Sequence, residues 1–370
     1  MSQPASRMPL IDALKAIAAV LVLLNHFSSY GPLAATAREA FPAVIDWFYG
    51  YGRMAVQVFL VIAGFLAARG LSPQGEALAG SPLPLLWKRY LRLVVPYLAA
   101  IGLAIAAAAI AAHWMDDEAI PDRATFKQWL AHALLLQGLL GFDSLSAGVW
   151  YIAIDFQLFA LMALLLWGGR IKRVAPAVVL AVAGASLFWF NRDASWDNWA
   201  LYFFASYGLG AAAWWASERR QMSCWLGVIA TVAIAALIVD FRLRIALALG
   251  VALLLGFGRR TGFLEQWPNV RPLAFLGQIS YSVFLVHFPV LLLANGLYAL
   301  LDLSSTASAI TGLLLAISAS IVAATYFYRW IESPEASRRI TSAFGWLTGK
   351  GLELVRKVPG LGRLALPRQS

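Results

Sequence analysis

The chain of 370 residues is 61% hydrophobic and only 13% charged, with a mean hydropathy of +0.71. An ordinary soluble domain carries about 25% charged residues, so the composition excludes a soluble fold and predicts an all-α polytopic membrane protein. The net charge of +10 would suggest nucleic acid as partner of a soluble protein, but here it reads as the Lys/Arg excess of cytoplasmic loops, and no nucleic-acid partner is expected.

Apolar segments run over 10–27, 52–68, 90–112, 148–168, 174–190, 199–216, 223–239, 245–258, 273–298 and 307–330. A crossing needs about 20 apolar residues, with allowance for tilt, which gives about ten transmembrane helices. The N-terminal stretch has some look of a signal peptide, with Arg7, Lys15, a short apolar core and small residues at Ala35–Ala37. Asp12 and Lys15 interrupt that pattern, and the first segment is read as a retained span. An eleventh segment, 126–140, is shorter and holds Lys127, His132 and Gln137. If it does not cross, both termini are cytoplasmic, and 22 of the 29 Lys and Arg lie on the inner side against 7 outside. If it crosses, Arg170, Lys172 and Arg173 face outward and every later loop inverts. The segment near 126–140 is therefore expected to be re-entrant or interfacial on the outer side. The expected organisation is a transmembrane domain over 1–332 and a basic cytoplasmic tail over 333–370, which reads either as containing an interfacial helix on the inner leaflet or as a disordered basic tail. No internal repeat is visible. The single Cys224 excludes an intrachain disulfide and a Cys-based metal cluster. It reads as a small packing residue.

Polar residues within apolar segments are costly and tend to mark function. In the first span, Lys15 and His26 stand eleven residues apart, three helical turns and ~16 Å along the axis. His26 reads either as a residue at a wet outer helix end or as a general base or nucleophile. Arg89 and Arg92, just before the third span, are three apart and share a face. They read as a topogenic cluster or as a phosphate clamp, to which Arg69 adds a third guanidinium. Trp150, Asp155 and Gln157 follow in the fourth span. Asp155 serves as a structural partner of a buried group, or raises the basicity of His26, or orients an acceptor hydroxyl. Ser280, Tyr281, His287 and Pro289 share the ninth span, where His287 reads first as structural. Tyr328–Glu332 closes the last span before Pro334. His113 and His132 read as outer-surface residues. None of the four His has metal-ligand spacing, and there is no nucleophile elbow or P-loop.

These stretches, in this order, resemble the membrane acyltransferase family 3, over about residues 7–335. The first helix of that family is similar to Asp12–Lys15…His26, a basic residue ahead of an essential His. The second is similar to Val56–Leu66, its Arg-x-x-Arg motif to Arg89 and Arg92, and its Trp…Glu helix to Trp150…Asp155. Ile279–Pro289 and Tyr328–Glu332 match its two closing motifs. The chain departs from the family pattern at Ala63, where Ser is usual, at Asp155, where Glu is usual, and at Lys15, where Arg is common. The resemblance implies transfer of an acyl group, acetyl first, from cytoplasmic acetyl-CoA or another acyl-CoA to a hydroxyl of a surface or lipid-linked glycan, in a bacterial inner membrane. It implies catalytic roles for His26 and Asp155, with Lys15, Arg69, Arg89 and Arg92 on the CoA phosphates. Trp150, Gln157, Tyr281 and His287 would lie on the substrate side, and no metal is required. Either His26 takes the acceptor's proton or it carries the acyl group as a transient acyl-His. Some members add a hydrolase-like periplasmic domain. This chain is too short for one, so the membrane domain is expected to act alone. The rival reading is a transporter or flippase of a lipid-linked saccharide, which predicts two related halves with paired broken helices.

Overall fold

The structure is a computed structural model, and it describes residues 7–170, 174–218, 222–336 and 338–339. Every regular element among them is helical. In chain order these are α1 (Pro9–Phe27), α2 (Gly31–Ala40), α3 (Pro42–Tyr51), α4 (Val56–Leu71), α5 (Leu83–Ala111), α6 (Phe126–Ala133), α7 (Trp150–Gly168) and α8 (Ala175–Phe188). They continue with α9 (Ala200–Glu218), α10 (Met222–Val239), α11 (Leu243–Thr261), α12 (Phe263–Gln266), α13 (Arg271–Gln278), α14 (Ser280–Leu300) and α15 (Thr306–Phe327), which ends in a π-helical turn, Tyr328–Glu332.

Each of the ten apolar segments expected from the sequence lies on a helix. Seven helical stretches are long and apolar enough to cross a membrane among the described residues: Pro9–Phe27, Pro42–Leu71, Leu83–Ala111, Trp150–Gly168, Ala175–Arg192, Ser280–Leu300 and Thr306–Ala336. The other three long helices, α9, α10 and α11, are less apolar or shorter. For α9 the reason is its place in the bundle. Residues 202–216 are buried without a break, packed by α4, α7, α8, α10 and α11. A helix that faces protein on every side does not need a lipid-like surface.

Small residues draw α4 and α9 together. A Cβ on Gly64 would stand 1.9 Å from the Tyr207 carbonyl oxygen, and one on Gly210 would stand 2.0 Å from that of Val61. Two glycines, one on each helix, thus let the backbones touch, the close approach by which membrane helices pack without a hydrophobic drive.

Several boundaries differ from the sequence reading. Arg89 and Arg92 lie inside α5, which starts at Leu83. The helix tolerates Arg89 there because a carboxylate from α7 meets it. The stretch 273–298 is broken at Ile279 into α13 and α14, while Pro289 sits within a continuous α14. The segment near 126–140 forms only eight residues of helix, α6, opened by a capping box of Thr125 and Gln128. It is too short to cross. It doubles back along the first half of α5, where the Tyr90 hydroxyl donates to the Ala133 carbonyl (2.8 Å) and the His132 ring lies 6.4 Å from Tyr97. Lys172, Arg173, the side chain of Cys224 and nearly all of the basic tail lie outside the described residues.

Candidate active site

His26 stands in the last turn of α1, and His287 two turns into α14. Their rings are near-parallel (12°), with centroids 4.8 Å apart. His26 Nδ1 lies 2.5 Å from His287 Nε2. The tautomers follow from the next contact. His287 Nδ1 faces the Val283 carbonyl of its own helix at 3.1 Å, so that nitrogen carries a proton and donates it. His287 Nε2 is then a lone pair, and His26 Nδ1–H donates to it. This leaves His26 Nε2 unprotonated, the state a general base needs. His287 is fully buried, and His26 keeps some accessible surface. Tyr30 packs against the His26 ring and Phe284 against that of His287, and Gly148 borders His26 directly. Gly148 has φ +79°, and a Cβ there would stand 3.0 Å from His26 Cε1. The position needs glycine for both its backbone and its space.

Toward the N-terminal end of α1, the charges acting on Lys15 are those of Asp12, Arg92, Glu332 and Arg89. Arg89 Nη2 donates to Asp155 Oδ2 at 2.5 Å, and the Ser282 hydroxyl donates to the Glu332 carboxylate. Among the described residues, neither Lys15, Arg92 nor Arg69 has a carboxylate within 4.0 Å. The Asp155 carboxylate lies seven residues beyond Gly148 on α7, about 10 Å along the axis. It therefore neutralises Arg89 and does not touch His26. Tyr151, Tyr207 and Tyr281 stand around the ion pair, and Tyr281 ties α14 to α5 by donating to the Leu93 carbonyl (3.0 Å).

Beside the first two turns of α7 a cavity of about 480 Å³ opens among α4, α7, α9 and the 137–144 and 197–198 loops. Trp150 and Gln157 line it. Trp150 lies nearly flat on Phe203 (5.5 Å, 28°). Gln157 also holds the start of α9, accepting from the Ala200 backbone N–H (3.0 Å). No group of three His, Cys, Asp or Glu suited to a metal occurs among the described residues.

The family model described as an acyltransferase domain, that of acyltransferase family 3, matches residues 9–329. The chain belongs to acyltransferase family 3. One curated relative is the peptidoglycan O-acetyltransferase OatA of Listeria monocytogenes, 21% identical over 366 residues, covering 88% of this chain and 55% of the relative. The chain thus spans about half the length of that relative. No solved structure matches. Family membership and the helical bundle together make this a multi-pass membrane acyltransferase.

Within this family 3 chain, the structure joins some of the residues expected from the sequence and separates others. His287, read first as structural, is the partner of His26. Lys15, Arg89 and Arg92 gather at one end, but Arg89 turns inward to Asp155 while Arg92 is exposed, so the two do not form one bidentate clamp. Arg69 stands apart, against Met8 Sδ (3.5 Å) and the Trp214 ring (6.0 Å). His132 is not on the surface. It is fully buried, with Nδ1 on the Gln128 carbonyl (2.8 Å) and Nε2 accepting from the Leu145 N–H (3.2 Å). Sequence reasoning missed Gly148, Tyr30 and the pairing of Glu332 with Ser282. Gly148 carried a faint signal, a glycine directly before the Trp150 motif.

Proposed function

We propose that the protein is an integral membrane O-acyltransferase that moves an acyl group, acetyl first, from cytoplasmic acyl-CoA to a hydroxyl of a cell-surface or lipid-linked glycan. The observation that carries this reading is the His26–His287 pair, which leaves His26 Nε2 as a base. Lys15 and Arg92, which lack carboxylate partners, hold the donor's phosphates, and Arg69 adds positive potential. By the positive-inside rule that end faces the cytoplasm, in a bacterial inner membrane with both termini inside. The cavity end faces outward and receives the saccharide.

In the transfer step His26 Nε2 takes the proton of the acceptor hydroxyl as its oxygen attacks the thioester carbonyl. The C–S bond breaks, and the imidazolium returns the proton to the CoA thiolate. His287 holds His26 in the tautomer this requires. Asp155 is a positioning group that keeps Arg89 neutralised and in place. Transfer of labelled acetyl from acetyl-CoA to membrane glycan should vanish in His26→Ala, and full transfer in that variant would refute the reading. CoA retention by the purified protein should fall in Lys15→Ala and Arg92→Ala. Unchanged retention in both would remove the donor from that end.

A further inference from the structure

We infer that the 480 Å³ cavity at the N-terminal end of α7 is the acceptor subsite, and that it selects a neutral, hydroxyl- and amide-rich saccharide over an acidic one. This rests on the acyltransferase reading above and adds the class of acceptor and the place where it sits.

The volume falls within the range of small-ligand sites. The charges on the wall cancel. Arg53 and Arg244 line it together with Asp143 and Asp197, and no ion pair joins one set to the other among the described residues. Arg244 is already engaged, donating to the Asn191 carbonyl (2.5 Å) and lying over the Tyr202 ring (4.7 Å). A polyanion therefore finds no net attraction here. Between the charges stand four carboxamides, Gln57, Gln137, Gln157 and Asn198. A carboxamide both donates and accepts, which matches hydroxyl and acetamido groups alike. Gln137 is 1% exposed, and its Oε1 is buried with no partner. A buried acceptor without a partner, on a residue of the cavity wall, calls for a donor. Trp150, 38% exposed and backed by Phe203, offers a flat apolar face to the C–H side of a sugar ring.

The cavity also lies where a hydroxyl could reach the base. Residues Trp150, Ala153, Ile154 and Gln157 form one face of α7 and line the cavity. Tyr151 and Asp155 lie on the adjoining face, toward Phe284 and Arg89. Gly148 stands against His26 at the edge where these faces begin, two residues before Trp150. That puts its backbone within about 7 Å of the cavity wall. With no side chain at 148, the backbone that leads into Trp150 lies directly against the His26 ring.

The test uses the full chain in nanodiscs with chitobiose as the neutral, amide-bearing probe and digalacturonate as the acidic one. Saturable binding of chitobiose is expected, tighter than digalacturonate by about tenfold, with losses of about fivefold or more in Trp150→Ala and in Gln137→Leu. Asp143→Asn, at an exposed position, should leave folding intact and narrow the preference by raising digalacturonate binding. Absence of saturable chitobiose binding, affinity unchanged in both Trp150→Ala and Gln137→Leu, or an unaltered preference in Asp143→Asn would overturn the proposal. Labelled-acetyl transfer to membrane glycan is measured on the same preparation. Transfer without cavity-dependent binding would sink this inference alone, whereas cavity-dependent binding without any transfer would sink the acyltransferase reading and leave the binding site.

Discussion

At the scale of single residues, the chain of hydrogen bonds from Val283 through His287 to His26 decides which nitrogen is basic. His287 acts on His26 and not on the donor, so its loss should fall on kcat and leave the donor KM unchanged. His287→Phe, which fills the space but cannot accept, is expected to lower kcat by about a hundredfold. His287→Gln, whose amide oxygen can accept from His26 Nδ1–H, should recover part of it. Equal losses in the two variants would mean that His287 only packs. The Arg89–Asp155 pair makes a second prediction. Asp155 is nearly buried, with its side chain 6% exposed against 26% for Arg89, so Asp155→Ala strands a guanidinium and should cost about 3 kcal/mol. A matched apolar pair, Arg89→Met with Asp155→Leu, should regain most of that in the thermal midpoint. If the double variant is no more stable than Asp155→Ala, the ion pair is not the source of the loss. Asp155, which the sequence offers either to a buried group or to His26, answers a cation of the bundle, and among the described residues no carboxylate forms an ion pair with His26 or His287.

At the scale of elements, close backbone contact and neutral buried histidine carry the structural argument. Gly64→Ala places a methyl group on the Tyr207 carbonyl oxygen and should destabilise the α4–α9 pair by about 3 kcal/mol, read as a lower thermal midpoint in detergent. α6 depends on His132 in its neutral form. Burial lowers the His132 pKa from its usual 6.5, with the bond to the Gln128 carbonyl opposing. The acceptor role of Nε2 toward Leu145 N–H is lost on protonation. The unfolded chain therefore binds more protons than the folded one below about pH 6.5, and stability rises with pH. The contribution is complete above 6.5 and is lost as pH falls from there through the lowered folded value. The thermal midpoint of the wild type should drop more steeply between pH 7 and pH 5 than that of His132→Phe. Parallel profiles would show that His132 does not titrate with unfolding. The sequence read His132 as superficial because a short polar-bearing segment looks like a surface loop. Its burial comes from α5, some forty residues earlier in the chain.

At the scale of the whole molecule, the open contrast is between ten crossings and the seven that length and composition alone select. Single-cysteine labelling of intact cells, in a Cys224→Ser background, separates them. With ten crossings, Ser195→Cys and Ser304→Cys react with an impermeant reagent and Ser81→Cys does not. With seven, Ser195 and Ser304 fall on opposite sides. The sequence by itself determined the membrane class, the helical architecture, the family and the polar residues worth attention, because apolar run length and charge bias are local quantities that the bilayer reads directly. It also put Lys15 and His26 on one helix, and Arg89 and Arg92 on the same side of the membrane as Lys15. Only the tertiary structure decided that His287, 261 residues from His26, sets its tautomer, that Asp155 belongs to Arg89, that Arg69 packs on Met8 and Trp214, and that Gly148 lies against His26. Those pairings are contacts between helices far apart in sequence. Periodicity says which face of a helix a residue is on, but not which helix will face it.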